Sequence, residues 1–432
     1  MSEYKASETY RNAKTAQAYY ARKNTEIINR ITFMEKYGIR GSKVKFFKMR
    51  NGFFPKMCKQ SVQYLLGNGV TLDAEIKDKL GAKFDMDFQR AGLWAVVDGV
   101  SWCFWNYDRL ITFRATEFVP LFNEETGDLM VGIRFWQIDP QKPINIELYE
   151  TDGVSRYVAS FDGSDMRLTK AKTAYKLTVR RDAISEEVIN TENYPRIPVF
   201  AFYANELKTS ELTEGLKESI DAHDFISSDL ADTILQIEGV YWVIKNYGGS
   251  DLAQLRDELH QLKMSSNDGG ADAGIDNHNV EVPHQAKQVA LDLLEAYMYR
   301  DTMALDIKAM TGGSLTNIAI NVAFTDFDLK TDLFEYQALD VVQNILALLG
   351  HAGARVAFKR RTLNNDTENI GNISTMIADG YVDLQWAIEY NPLIADDKQS
   401  ELLDRVILER TGVPMNDQTL DDDPDPNVTS DG

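Results

Sequence analysis

The clearest pattern in the chain is a pair of long amphipathic segments between residues 210 and 310. In the first, apolar residues recur every three, four or six positions, which places them on one stripe of a helix from Ser210 to Glu238. At a rise of 1.5 Å per residue this helix is about 43 Å long, which is long for a globular domain. The second segment follows Pro283, extends from about Gln285 to Met310, and is predicted to return antiparallel to the first. The apolar positions of the two segments are Leu212, Leu216, Ile220, Ile226, Leu230, Ile234, Ile237, Val289, Leu293, Tyr297, Ala304 and Ile307.

A small α/β insert is predicted between these two helices. Residues 240–247 are rich in aromatic and branched side chains, as a β-strand is, and residues 251–263 predict a short helix after a Gly-Gly turn. Residues 264–282 contain several Gly, Asp and Asn residues, which predicts a hairpin or a flexible loop closed by residues 279–282. Beyond Gly312 and Gly313, a third long helix is predicted from about Asn321 to Leu349.

The flanking regions predict an α+β domain before the helices and a helical part after them. Residues 1–70 and Phe84–Val97 have helical patterns, and residues 354–363 predict a late strand that returns to the first domain. Short helices are predicted after Asn372, and the terminal acidic run is typical of a disordered tail. The predicted strands are Trp102–Trp105, Ile111–Phe113, Met130–Ile138, Ile144–Tyr149, Arg156–Phe161, Ala174–Val179 and Ile197–Tyr203.

Composition narrows the class of protein. With 432 residues, of which 44% are hydrophobic, the chain can bury a large core divided over several domains or subdomains. No run approaches 18 uninterrupted apolar residues, and the N-terminus lacks the apolar core of a signal peptide, so we expect a cytoplasmic protein without a membrane span. The two cysteines form no CxxC motif, and the five histidines lack a metal-ligand spacing, which argues against a disulfide framework or a zinc site.

Charge is distributed unevenly along the chain. The net charge is −20, yet residues 1–60 contain 14 Lys and Arg against 4 acidic residues. Such an acidic chain is not expected to wrap nucleic acid tightly, although an acidic surface suits DNA that must slide. The clearest basic patch has two open interpretations, a solvated face or a surface that docks on acidic neighbours. It consists of Lys43, Lys45, Lys48, Lys56 and Lys59.

Motifs for catalysis are absent from the sequence. There is no GxxxxGK[ST], no GxGxxG and no HExxH, so neither an NTPase nor a zinc hydrolase is predicted, and no cofactor or metal is expected. A cytoplasmic α+β hydrolase with a helical insertion, using carboxylates such as Asp85 and Asp87, remains an alternative. No set of nucleophile and base supports it.

The ordered set of elements and local sequences resembles the portal proteins of tailed bacteriophages of the siphophage type. The resemblance covers roughly residues 20–410 and depends on the set as a whole, since no single motif is diagnostic. The segments that carry it are Phe53–Asn68, Asp98–Trp102, the turn Glu124–Leu129 between two strands, Arg196–Tyr203 and Tyr241–Gly249.

This resemblance implies a portal fold in which twelve copies form a ring around a tunnel. Its parts are an α/β wing, a long-helix stem, a small α/β clip, a tunnel loop with a long kinked helix, and a helical crown. The implied boundaries are 1–207 for the wing with 350–372 returning to it, 208–238 and 284–308 for the stem helices, 239–283 for the clip, 309–349 for the tunnel loop and long helix, 373–420 for the crown, and 421–432 for a disordered acidic tail.

The resemblance also implies a function, which is structural and not enzymatic. The ring would occupy the portal vertex of the virion after assembly in the host cytoplasm, and double-stranded viral DNA would pass through its channel during packaging and ejection. Expected partners are other copies of the chain, the terminase large subunit, a head-tail adaptor, and the major capsid and scaffold proteins. Another phage connector or scaffold component, without a tunnel, is the remaining alternative.

Particular residues acquire roles through this resemblance. An isolated helical stalk cannot bury its apolar stripe alone, so neighbouring copies are expected to cover it. The stripe residues expected between subunits are Leu216, Ile220, Ile226, Leu230, Ile234, Val289, Leu293 and Tyr297. The implied contacts for terminase and adaptor are Tyr241, Lys245, Tyr247, Arg256 and His260. The implied tunnel loop contains Thr311, Gly312, Gly313, Ser314, Thr316 and Asn317, although a plain turn between helices would have the same sequence.

Overall fold

Helices and antiparallel sheets both contribute to the fold, which confirms the α+β class. The computed structural model describes residues 1–30, 47–181, 186–236, 241–245, 274–278, 284–310, 317–360, 366–389, 402–403 and 405–406. The helices are α1 Ser2–Ala6, α2 Glu8–Tyr20, α3 Thr25–Ile28, α4 Phe53–Leu66, α5 Ala74–Leu80, α6 Phe84–Asp98, α7 Glu214–Gln236, α8 His284–Asp301, α9 Ile307–Met310, α10 Asn317–Leu348, α11 Asp366–Ala378 and α12 Leu384–Glu389. The strands are β1 Val70–Thr71, β2 Val100–Asn106, β3 Arg109–Arg114, β4 Phe118–Phe122, β5 Leu129–Trp136, β6 Ile144–Glu150, β7 Gly153–Ala159, β8 Met166–Thr173, β9 Lys176–Arg181, β10 Glu186–Glu192, β11 Val199–Tyr203, β12 Tyr241–Lys245, β13 Gly274–His278 and β14 Ala357–Phe358.

The strands of the N-terminal region form two main sheets, and all their pairs are antiparallel. One sheet has the order β11-β2-β3, and the other has the order β4-β5-β6-β7-β8. Trp102, Phe113, Phe118 and Tyr149 fill the space between them as a buried aromatic cluster. These rings therefore belong to the core, as expected for aromatic residues that alternate with branched ones in strands.

Helices α4 and α6 and the second half of α10, from Leu329 onward, pack on the other side of the three-stranded sheet. Phe88 of α6 stacks on Phe202 with ring centroids 5.2 Å apart, and Phe202 stacks on Phe334 of α10 at 5.4 Å. Trp105 is fully buried in the same cluster. The second half of α10 is thus tied to the N-terminal domain, and Ala357 and Phe358 of β14 pair with β1 beside it.

The junction between α6 and α7 depends on a glycine. Helix α6 ends at Gly99, which has a φ of +90° and donates its N–H to the carbonyl of Ala95. A Cβ atom at this position would lie 2.6 Å from the backbone nitrogen of Ser210. Only glycine therefore combines this dihedral angle with the close approach that brings residue 210 against the end of α6.

Among strands β2 to β11, three are not predicted by the sequence pattern. Strand β4 contains Pro120 and directly follows a short 3-10 turn, so its apolar run resembles a loop. Strands β8 and β10 consist largely of polar and charged residues, and the residues from Met166 to Lys172 are exposed. Edge and hairpin strands that face water on both sides lack the alternation on which sequence-based assignment depends.

The second long helix is shorter than predicted. The sequence predicts one helix to Met310, whereas α8 ends at Asp301 and the chain turns before the separate short helix α9. Met303 has a left-handed φ of 51°, and the Thr302 hydroxyl donates to the carbonyl of Met298 at 2.6 Å. Because neither feature leaves a periodic signal, the apolar residues Ala304 and Ile307 extended the predicted stripe past the real end.

The chain divides into two compact units. The first consists of residues 1–304 and 329–360, so the part that returns to the N-terminal domain ends at Arg360, before the predicted boundary at 372. The second unit consists of residues 305–328 and 361–432. Within it, Phe324 and Phe327 are buried and meet edge to face, and α11 packs against α12.

A buried carboxyl group joins the N-terminal helices to the sheet. Asp98 at the end of α6 is 2% exposed, and Gln17 of α2 donates its side-chain N–H groups to both carboxylate oxygens at 3.0 and 2.9 Å. The Nε atom of Arg114 lies 3.7 Å from the nearer oxygen. Burial raises the pKa of Asp98 to about 7, although Arg114 and Gln17 act in the opposite direction.

Replacing Asp98 with Asn is expected to remove part of the pH dependence of stability. Because the pKa rises from an ordinary 3.8 to about 7 on folding, the protonated group contributes stability at low pH that is lost as pH rises through 7. Between pH 5 and pH 8 the wild type should therefore lose about 2–3 kcal/mol from this group. Urea unfolding at both pH values measures the loss, with exposed Asp139→Asn as the control. Equal pH dependence in Asp98→Asn and the wild type would contradict this assignment.

Candidate functional site

Helices α7 and α8 form the antiparallel pair that the sequence predicts, and α7 has a defined start. The predicted start at Ser210 is four residues too early, because Thr213 caps the helix by accepting the N–H of Leu216 at 3.3 Å. Ser210 instead binds the end of α6, since its hydroxyl donates to the carbonyl of Val97 at 2.6 Å. The pair therefore extends from a fixed base on the N-terminal domain.

The base of the pair is part of the subunit's own core. Leu216 and Ile220 of α7 are 5% and 1% exposed, and they share a buried cluster with Met298 and Tyr299 of α8. The prediction that Leu216 and Ile220 pack between subunits is therefore wrong. The stripe continues along the helix, but its first two members are already covered within one chain.

On another face of the pair, apolar side chains lie open to solvent. Val289, Leu293 and Tyr297 of α8 are 65%, 48% and 38% exposed. Beside them, Phe225 and Ile226 of α7 line a groove of about 450 Å³, whose other walls include Ala286 and Ala290. Ile234, near the far end of α7, is also exposed, and Leu230 is half-buried. Residues 286, 290, 293 and 297 follow the spacing of a helix-packing stripe.

Charged side chains border this groove and are paired with one another. Lys287 donates to the Asp229 carboxylate at 2.6 Å, and the Arg30 guanidinium lies 3.9 Å from the same carboxylate. Arg30 also lies over the Phe225 ring at 5.9 Å from its centroid. Because these charges satisfy each other, the groove presents an apolar floor with a neutralised rim.

The polar face of α7, opposite its apolar stripe, is buried. Asp221, Asp224, Ser228 and Asp232 occur at steps of three and four residues and are 8%, 1%, 0% and 6% exposed. Tyr19 of α2 donates its hydroxyl to Asp221, and Asn24 donates its amide to Asp224. The sequence signal that could have revealed this face is the regular spacing of short acidic and hydroxyl side chains on one stripe.

Residues 47–51, which we call the strap, cover this polar face with their main chain. Phe47 donates its backbone N–H to Asp232 at 2.8 Å, Met49 to Ser228 at 2.9 Å, and Asn51 to Asp224 at 2.7 Å. Alternate residues of the strap thus bind every fourth residue of α7. The helix side chains accept the N–H groups of the strap, as the carbonyl groups of a neighbouring strand would.

The insert between the two helices contains a two-stranded sheet. Strand β12 pairs antiparallel with β13, with Tyr241 opposite His278 and Lys245 opposite Gly274. The pairing strand therefore precedes residues 279–282, which the sequence suggested as the closing segment. Tyr247, Arg256 and His260, together with the predicted helix 251–263, lie outside the described residues.

The predicted tunnel loop and basic patch are only partly described. Thr311, Gly312, Gly313, Ser314 and Thr316 lie outside the described residues, and Asn317 begins α10. Lys43 and Lys45 lie outside them as well.

The three described lysines of that patch lie on two elements, the strap and α4. Lys48 of the strap donates to the carbonyl of Ile28 at 2.6 Å. Lys56 of α4 donates to the Tyr299 hydroxyl and lies over its ring, while Lys59 is exposed on the same helix.

The carboxylates considered for hydrolysis have structural partners. Asp85 binds Lys77 at 2.6 Å and accepts the backbone N–H of Val70 at 3.1 Å, and Asp87 pairs with Arg90 at 3.3 Å. Within the described ranges, no group of three or more His, Cys, Asp or Glu side chains could hold a metal ion. No helix in the part of the chain that the structure describes combines the length and apolar character needed to cross a membrane.

An ion pair holds the base of the helix pair to α10. Lys330 lies 2.6 Å from the Glu211 carboxylate, and it also donates to the carbonyl of Thr302 at 3.0 Å. Both side chains of the pair are only 17% exposed. They form part of the wall of a largely apolar cavity of about 280 Å³, which Met303 and Phe334 also line.

Two curated relatives of this chain are both portal proteins of phages. The chain is 24% identical over 312 residues to the portal protein of Bacillus phage SPP1, covering 67% of this chain and 59% of the relative. It is 22% identical over 228 residues to the portal protein of Clostridium phage phiCD119, covering 50% of each. The chain thus spans about half to three-fifths of the length of these curated relatives.

A solved structure, the neck of an empty GTA particle, is 11% identical over 82% of this chain and 90% of its own, with a TM-score of 0.35, which is too low to support an argument. The family described as "Phage portal protein, SPP1 Gp6-like" matches residues 2–406, which is nearly the whole chain. The chain therefore belongs to the phage portal protein family.

Proposed function

We propose that this chain is the subunit of a dodecameric ring that occupies the portal vertex of a phage capsid and conducts viral DNA. Phage portal proteins form oligomeric rings in phage heads and necks and sit at the portal vertex of the virion. The family is a structural and non-enzymatic component of assembly. In this proposal the ring serves packaging and ejection and provides a docking platform for the terminase large subunit and a head-tail adaptor.

The observation that carries the proposal is the open apolar face of α7 and α8. Val289, Leu293 and Tyr297 are exposed along one stripe of α8, although Met298 and Tyr299 in the same helix are buried in the core. A contiguous apolar stripe on a helix is stabilised by a partner helix. In a ring, each subunit offers this groove to one neighbour and receives a different surface from the other neighbour, which closes every interface.

The remaining assignments follow from position in the chain. The paired strands β12 and β13 lie between α7 and α8 in the chain, which suits a clip that contacts the terminase large subunit and then the adaptor. Residues 311–316, which precede α10, and Asn317 at its start supply uncharged hydrogen-bonding groups for phosphates. The exposed Lys59 and the neighbouring basic residues suit contacts with acidic capsid or scaffold surfaces.

Deleting residues 312–317 is expected to leave ring formation intact and to impair DNA packaging or retention. The deletion removes the segment proposed to face the moving DNA, whereas the apolar helix face that joins subunits is unchanged. Packaged DNA per capsid, measured by nuclease protection, reports the effect, and electron microscopy of the purified protein confirms the rings.

The matched control replaces residues 312–317 with Gly and Ser at the same length. This control shows whether packaging depends on the length of the loop or on the chemistry of its side chains. Wild-type levels of packaged DNA in the deletion variant would contradict the tunnel-loop assignment. The proposal of a ring is tested separately, by the electron microscopy.

A further inference from the structure

The contact between the strap and α7 has matched spacings on its two sides. Four helical residues rise about 6 Å, and two residues of an extended chain span about 6.6 Å. Asp224, Ser228 and Asp232 therefore meet the N–H groups of residues 51, 49 and 47 in register. The acceptors of these N–H groups are side chains and not the carbonyl groups of a neighbouring strand. The strength of the contact therefore depends on the charge state of those side chains.

Asp224 differs from the other acidic residues on this face. Asp221 binds Lys217 at 2.9 Å, and Asp232 lies 3.5 Å from Arg30, so each has a cation beside it. Asp224 is 1% exposed, and its hydrogen-bond donors are the backbone N–H of Asn51 and the amide of Asn24. Both donors are neutral.

The charged and titratable groups around Asp224 come from the strap and from α7 itself. Arg50 of the strap favours the charged form of Asp224, and Asp221 opposes it. His223, the preceding residue of α7, has its Nδ1 atom 4.0 Å from the carboxylate. On α2, Tyr19 binds Asp221 and not Asp224. A buried carboxylate with this balance of neighbours is sensitive to protonation.

Two buried polar atoms next to Asp224 lack hydrogen-bond partners. They are the Oδ1 atom of Asn24 and the Nδ2 atom of Asn51. A protonated Asp224 would still accept the Asn51 N–H, and its hydroxyl could donate to Asn24 Oδ1 after rotation of that amide. Asp224 can therefore keep hydrogen bonds to Asn51 and Asn24 as the neutral acid as well as the carboxylate.

We propose that the strap is a proton-controlled latch on α7, which holds residues 47–51 tightly when Asp224 is neutral and loosens when Asp224 is ionised. The tight and the loose state differ in the protonation of one carboxyl group, that of Asp224. The strap donates three main-chain N–H groups to the polar face of α7. The latch is independent of ring formation, because all its partners belong to one chain.

The direction of control is set by burial, which outweighs the stronger hydrogen bonds that an ionised carboxylate accepts. Burial raises the pKa of Asp224 from 3.8 to about 6, while the bonds from Asn51 and Asn24 lower it. A raised pKa means that the closed latch favours the protonated acid, so this contribution is present at low pH and is lost as pH rises through 6. With these two pKa values, the latch should open about tenfold less often at pH 5 than at pH 8.

Hydrogen-deuterium exchange tests the latch on the full-length protein. Peptides that contain residues 47–51 are followed at pH 5, 6, 7 and 8, and their rates are corrected for the intrinsic pH dependence of exchange. We expect protection of these amides to fall about tenfold from pH 5 to pH 8. Peptides from β5 report whether the whole domain changes over the same range.

Two variants on α7 complete the test. Asp224→Asn supplies an acceptor for Asn51 and a donor for Asn24 at every pH, so it should keep the strap protected without pH dependence. Glu218→Gln makes the same chemical change at an exposed position of the helix and should behave as the wild type. Protection that does not change with pH in the wild type, or pH dependence retained in Asp224→Asn, would overturn the proposal. If Asp224→Asn fails to fold, the wild-type series decides.

Discussion

Replacing Leu293 with Asp is expected to give a folded subunit that no longer closes into a ring. Leu293 is 48% exposed in the single chain, so the subunit tolerates a charge there. In the proposed ring the same position is covered by a neighbour, and burying an unpaired carboxylate costs several kcal/mol, on the order of 3 or more, at each interface. Because every interface repeats the defect, complete rings should disappear from mass photometry at concentrations at which the wild type assembles.

Two further substitutions make this result specific. Ile138→Asp adds the same charge at a residue that is 76% exposed on the loop after β5, and it should leave ring formation unchanged. Ile220→Asp places the charge in the subunit's own core, where the side chain is 1% exposed, and should unfold the subunit. Complete rings formed by folded Leu293→Asp would show that this face is not between subunits.

Replacing Lys330 with Ala is expected to cause a large loss of stability. The change leaves the Glu211 carboxylate in a mostly enclosed site without its cation, and it also removes the donor to the Thr302 carbonyl. Removing one partner of a fully buried ion pair costs about 3–5 kcal/mol, so about 2–4 kcal/mol is expected for a pair that is 17% exposed. The free energy of urea unfolding measures the loss, with exposed Lys59→Ala as the control.

A double-mutant cycle identifies the cause of that loss. If the cost comes from the stranded Glu211 carboxylate, adding Glu211→Ala to Lys330→Ala should recover much of the lost stability. Additive losses in the double variant would mean that Lys330 acts through Thr302 and through packing, and that its pairing with Glu211 contributes little.

The parts of the fold that could be predicted are those with a clear period. The apolar residues of α6 and α7 recur at helical spacing, and the strands around Trp102 and Ile146 combine branched and aromatic residues with alternation. Strand β8 could not be predicted in this way because it lies at a sheet edge and is exposed on both faces. The end of α8 was missed because apolar residues continue after the left-handed turn at Met303.

The exposure of the apolar stripe could be predicted only in part. Periodicity correctly placed Val289, Leu293 and Tyr297 on one stripe, but it cannot distinguish a side chain covered by its own chain from one left open. Leu216 and Ile220 are covered by α8 at its base, which only the three-dimensional arrangement reveals. Periodicity alone likewise does not reveal that the polar stripe from Asp221 to Asp232 is covered, because its partner is a main chain far away in sequence.

The most direct test of the proposed function is the assembly state of the full-length protein. Mass photometry followed by negative-stain electron microscopy measures both the mass of the particle and its shape. We predict a closed ring with a central hole and a mass of about twelve times 48.9 kDa, as expected for a symmetric assembly with repeated interfaces. A protein that stays a monomer or dimer at all concentrations, or that forms particles without a hole, would contradict a DNA-conducting ring.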